Sequence, residues 1–146
     1  MRRAVFHSTI LISAFLLPGG LSEELLTLAA EGHFALVLAP DLIAETGRKL
    51  LTSTRLRTRY RYSDERVNSF ARGLLRIAEI IREVPPITGV VRDPNDDMVI
   101  ACAVHAKGDH IVTRDKDLLS IGSYQEITIL EPEQFRMILR TETEGL

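Results

Sequence analysis

The chain lacks several features that would each fix a class of protein. Cys102 is its only cysteine, which excludes an intramolecular disulfide and a cysteine-built zinc cluster. Set in the apolar run Val99-Ile100-Ala101-Cys102-Ala103-Val104, that thiol reads as a small buried hydrophobe. No apolar run reaches the roughly 18 residues that would span a bilayer, so no membrane association is expected. Charge of one sign is not in excess either. A formal net charge of −2 argues against a nonspecific coat for nucleic acid but leaves room for a local basic groove. Internal repeats, low-complexity segments and linkers are absent. The 146 residues therefore read as one domain, able to bury about two-thirds of the unfolded chain's surface.

What the chain does have is carboxylates in two tight groups. Asp93-Pro94-Asn95-Asp96-Asp97 stands directly before an apolar run, and Asp115-Lys116-Asp117 follows a short strand-like segment. Crowded carboxylates raise one another's pKa, and a cation offsets that repulsion. Oxygen ligands of this kind suit Mg²⁺ or Mn²⁺. Each group also has a structural reading. Asp93 suits a turn, Asp96 a helix N-cap, and Asp97 can complement a helix dipole.

Apolar residues at 4–6, 34–38, 110–113 and 127–130 predict buried strands, with a further strand at 80–84 ended by Pro85-Pro86. Helices are predicted at 10–17, after Ser22, from Pro40 to about residue 52, after Ser63, from about 97 to 106 and from Pro132 onward, with a brief turn at Leu118-Leu119. Arg2 and Arg3 before an apolar stretch look like a secretory leader. His7-Ser8-Thr9 interrupts that stretch and no small-residue cleavage pattern follows. A core strand turning into a helix is the favoured reading, and a cytoplasmic protein is expected. Residues 55–62 are basic and aromatic, which suits contact with phosphates or with an acidic partner, or simply a solvated helix end.

Apolar strands alternating with helices indicate an α/β fold with a parallel sheet covered on both faces. Ligands of such folds sit outside the carboxyl ends of the strands. His7, Asp97 and Asp115 all fall near such ends, so they are positioned to converge.

On these residues the chain resembles a PIN-domain protein, in particular the VapC-like toxins of toxin–antitoxin systems. The resemblance rests on the run from Val5 through His7-Ser8-Thr9 to Ala14 and on Pro40-Asp41-Leu42-Ile43-Ala44-Glu45. It rests also on Arg92-Asp93-Pro94-Asn95-Asp96-Asp97, on Ile111-Val112-Thr113-Arg114-Asp115-Lys116-Asp117-Leu118-Leu119 and on the closing Ile129-Leu130-Glu131-Pro132-Glu133-Gln134-Phe135. It implies a single PIN domain over residues 1–140, with a central parallel sheet of about five strands flanked by helices, and a polar tail at 141–146. It also implies a divalent-metal-dependent endoribonuclease using Mg²⁺ or Mn²⁺, with an RNA substrate, a cognate antitoxin and a homodimeric state. Carried over by position, Glu45, Asp97 and Asp115 are the catalytic, metal-binding carboxylates and Asp117 an auxiliary ligand. Thr9, Thr113 and Asp96 support them.

One position departs from the family pattern. The first acidic residue, which ends the first strand, is here His7. Imidazole brings no negative charge and is a poor ligand for Mg²⁺, so the resemblance implies weaker metal binding and reduced or lost cleavage. The alternative is a PIN module that binds RNA or antitoxin without cleaving.

Overall fold

Short stretches of buried aliphatic side chains make the strands, and polar or small residues at their ends turn the chain into helices. The computed structural model describes residues 1–144. In chain order these form β1 (Arg3–Phe6), α1 (Ser8–Leu16), α2 (Leu21–Ala30), β2 (Ala35–Leu38), α3 (Pro40–Thr52), α4 (Thr54–Tyr60), α5 (Asp64–Ile77) and β3 (Glu79–Ile80). There follow α6 (Pro94–His105), β4 (His110–Val112), α7 (Lys116–Ile121), β5 (Ser123–Tyr124), β6 (Ile127–Leu130) and α8 (Pro132–Glu144). The last helix thus runs into the expected polar tail, whose final two residues lie outside the described residues.

One sheet runs through the molecule in the order β3-β2-β1-β4-β6-β5. The first five of these pair in parallel, as expected, and β5 adds a short antiparallel edge against β6. Two residues are too few to show a period, so β5 left no sequence signal. The strand expected at 80–84 shrinks to Glu79–Ile80. Glu83 takes a positive φ of 58°, and Pro85-Pro86 offer no amide to a ladder.

β1 is central, with Ala4, Val5 and Phe6 fully buried between β2 and β4. Phe6 stacks on Phe34 and meets the edge of Phe135 from α8, with ring centroids 5.7 and 6.1 Å apart. The opening segment is therefore core, and α1 is buried along much of its length. No single helix among the described residues is long and apolar enough to cross a membrane. Cys102 on α6 is fully buried, and that burial pushes its thiol up to about 11.

A polar cluster closes the opposite end of the sheet. His110 Nδ1 lies 2.5 Å from Thr128 Oγ1 and Nε2 lies 3.0 Å from an Arg2 guanidinium nitrogen. Burial, and then the Arg2 charge, hold the His110 pKa below its ordinary value. The native state therefore binds fewer protons here than the unfolded chain does. Stability from this site is complete above the unfolded value of about 6.5 and is lost as pH falls below it. The melting temperature is accordingly expected to drop between pH 7 and pH 5, with a shallower drop in His110→Gln. Equal slopes in the two proteins would show that His110 does not carry the effect.

Candidate functional site

β1 ends at Phe6, and the next residue carries both the strand pairing and the first turn of α1. The His7 amide donates to Val112 O at 3.0 Å, extending the β1–β4 ladder, while its carbonyl accepts from the amides of Ile10 and Leu11. His7 occupies the N-cap of α1, but its side chain does not cap the helix. The ring turns inward, where it is only 3% exposed.

There it meets two groups from distant parts of the chain and one from the next turn. His7 Nε2 lies 2.9 Å from Asp96 Oδ1, and Nδ1 lies 2.9 Å from Thr113 Oγ1 and 3.1 Å from Thr9 Oγ1. Thr113 Oγ1 also accepts from the Asp115 amide at 2.9 Å. Its hydroxyl proton is then free for His7 Nδ1, which leaves Nε2–H to donate to Asp96. Thr9 Oγ1 accepts from the Arg114 amide at 3.1 Å. A hydroxyl, an imidazole and a carboxylate in line resemble a nucleophile relay. Thr113 is fully buried, however, which closes its hydroxyl to a substrate. The line is a buried structural network.

Asp96 and Asp97 are adjacent in the sequence, and the structure turns them to different partners. Neighbouring residues on a helix point about 100° apart, so only one of the two can face β1. Asp96 does so. Asp97 turns to the segment before α6, accepting from Gly89 N at 3.0 Å, Val90 N at 3.1 Å and Val91 N at 2.7 Å. Gly89 takes a φ of +75°, which helps successive amides converge on one carboxylate as an anion-binding nest. A cavity of about 820 Å³ lies under this segment, lined among others by Pro40, Val84, Ile87, Asp97 and Met98. Asp97 thus fastens a loop, and the residue expected only to support the site is the one that meets His7.

Glu45 on α3 is buried, with one carboxylate oxygen 3.1 Å from Lys49 Nζ and the other, Oε2, without a partner. Lys49 Nζ also lies 3.4 Å from Ser8 Oγ, which ties Glu45 to the residue next to His7. Lys49 was missed by the motif reading. Its i,i+4 spacing from Glu45 was the available signal. Asp115 caps α7, accepting from Leu118 N at 2.9 Å through one oxygen. Asp117 is exposed on the first turn of α7.

The carboxylates therefore gather at one end of the sheet without closing on a single point. Among the described residues, no group of three or more His, Cys, Asp or Glu side chains is placed to hold a metal ion. Both Asp97 oxygens are bonded to amides, one Asp115 oxygen is engaged in capping, and His7 meets Asp96 with an imidazole. Among the described residues the buried Glu45 Oε2 has no hydrogen-bond partner. As its donors stand, the arrangement does not fit a divalent ion held by several carboxylates.

A mostly parallel α/β sheet with acidic residues at the carboxyl ends of its strands is the architecture of PIN domains. The PIN domain family model matches residues 3–117, and the chain belongs to this family. An uncharacterized protein of Methanocaldococcus jannaschii is 31% identical over 121 residues, covering 82% of this chain and 74% of the relative. Among solved structures, VapBC2 from Rickettsia felis bound to a DNA fragment from its promoter matches with a TM-score of 0.59. The match covers 88% of this chain and 98% of that one at 16% identity, a likeness of fold. PIN domains are in general nucleases that use divalent metal ions.

Proposed function

We propose that this chain is a toxin-type PIN endoribonuclease whose metal-dependent cleavage is strongly weakened by His7, leaving RNA and antitoxin binding as its stronger activities. The observation that carries this reading is the buried His7–Asp96 pair, 2.9 Å apart, at the position where the family places a carboxylate. Glu45 and Asp115 stand near the same end of the sheet, which supports a nuclease origin. The fold likeness to a toxin–antitoxin complex supports a protein antitoxin as partner. A carboxylate at position 7 beside Asp96, Glu45 and Asp115 would restore a donor set for Mg²⁺ or Mn²⁺, an ion that would supply Lewis-acid activation of water and charge neutralisation at the phosphate.

The non-cleaving form of this reading differs only in residual turnover. It is favoured by the lack of three converging ligands among the described residues. Incubating folded protein and His7→Asp with several RNAs, in Mn²⁺ or Mg²⁺ and in chelator, separates the cases. Chelator-sensitive cleavage is expected to be about 100-fold faster in His7→Asp than in the parent, since loss even of a group that only orients a metal ligand typically costs about 10- to 100-fold. Equal rates would show that position 7 is dispensable. No cleavage by either protein would remove the nuclease assignment.

A further inference from the structure

Residues 48–66 hold seven Arg or Lys against two acids, a local charge of +5 in a chain whose total is −2. The centre of this concentration is α4, a seven-residue helix with no buried residue. Isolated helices of that length are not stable on propensity alone. Ser53 caps it by accepting from Leu56 N, and Arg57 braces it from beneath. The Arg57 guanidinium donates to the carbonyl oxygens of Leu51 and Tyr62, pairs with Asp64 and lies over the Tyr62 ring.

Arg55, Arg59 and Arg61 brace nothing in this way. All three are exposed, and none forms an ion pair among the described residues. Each sits where stability alone would choose another residue. Arg55 lies in the first turn, at the positive end of the helix dipole. Arg55 and Arg59 are like charges at i,i+4, which costs about 0.2–0.5 kcal/mol. Arg61 is the C-cap with a φ of 49°, a left-handed conformation that glycine or asparagine adopts more readily. Three unfavourable choices on one short surface indicate a polyanion that offsets them.

We infer that the exposed face of α4, with Arg55 and Arg59 at its centre, is a docking ridge for the phosphate backbone of single-stranded RNA. RNA fits better than an acidic polypeptide because the exposed Arg59 and Arg61 flank an aromatic ring, that of Tyr60. The Arg59 guanidinium lies 5.4 Å over the half-buried Tyr60 ring, which joins a cation to a flat face on which a base can stack. The ridge continues from the carboxyl end of α3, the helix that carries Glu45 and Lys49. Bound RNA would therefore approach the His7 end of the sheet along α3. The inference rests on the RNA-directed reading above and adds the surface that holds the RNA.

Fluorescence anisotropy with a labelled single-stranded RNA of about 20 nucleotides, titrated over a range of salt concentrations, tests it. Arg55→Gln/Arg59→Gln is compared with Lys107→Gln/Arg140→Gln, an equal charge change at exposed sites elsewhere. The ridge variant is expected to bind about tenfold more weakly at 100 mM salt, with a salt slope shallower by about 1.4, the value for two lost phosphate contacts on a single strand. Its melting temperature should be unchanged or slightly raised, since glutamine keeps helix propensity and removes the repulsion. Parent-like binding by the ridge variant would overturn the ridge while leaving an RNA-binding protein. Equal losses in both variants would reduce it to a general field effect and also overturn it. Ridge-dependent binding of poly-glutamate without RNA binding would assign the surface to an acidic protein instead. Failure of the folded parent to bind any RNA would remove the ridge and the underlying reading together.

Discussion

His7→Asp is expected to melt about 9 °C below the parent in chelator and to recover most of that loss in Mn²⁺. The imidazole now joins Asp96 and Thr113 in a buried, mutually satisfied network. Replacing it with a carboxylate removes the donor to Asp96 and sets a second negative charge facing the first. Breaking a buried pair in this way costs about 3 kcal/mol, and each kcal/mol shifts a domain of this size by about 2–4 °C. On the proposed reading, the same change supplies an acidic ligand beside Asp96, Glu45 and Asp115. An ion present at about 100 times its dissociation constant returns about 2.7 kcal/mol. Differential scanning fluorimetry with chelator, Mg²⁺ and Mn²⁺ reads both effects. The parent should show little metal dependence. A His7→Asp protein as stable as the parent in chelator, or one that metal does not stabilise, would mean that the position is not part of a carboxylate pocket.

Asp97→Asn and Asp96→Asn are expected to have opposite consequences, although the residues are adjacent. Asp97 accepts from three consecutive backbone amides, and hydrogen bonds to a charged group are worth about 1.5–3 kcal/mol each. An asparagine keeps one acceptor oxygen and turns an NH₂ toward amide donors. A loss of about 3 kcal/mol is expected, with no change in the metal response of the His7→Asp background. Asp96→Asn in that background should abolish the metal response. Denaturant unfolding and metal titration of the two double variants decide between the positions. A metal response that disappears with Asp97 and survives loss of Asp96 would restore the ligand role to Asp97.

These two experiments turn on what a linear motif can encode. The run Asp93-Pro94-Asn95-Asp96-Asp97 marks an acidic helix start, and the family pattern places a carboxylate there. Which of two neighbouring aspartates faces the strands depends on the rotation of α6 about its axis. Packing against β1 and β4 sets that rotation, and nothing in the local residue order does. Lys49 was similarly legible only as a helix pair with Glu45. That it also reaches Ser8, next to His7, required α1 and α3 to pack together. α4 was visible as a basic, aromatic stretch, but the difference between the bracing Arg57 and the outward Arg55 and Arg59 depends on how the chain folds back so that Arg57 reaches Leu51, Tyr62 and Asp64.

By itself the sequence determined the α/β class, the parallel core strands, most helix boundaries and the presence of a histidine at position 7. Those properties follow from hydrophobic period, turn residues and caps, which act over a few residues. The tertiary structure alone decided that His7 is buried against Asp96 and Thr113, that Asp97 fastens a loop, and that the acidic groups do not close on one point. These are relations between residues as far apart as 7 and 113. They depend on strand order and helix rotation, which arise only when the whole core packs.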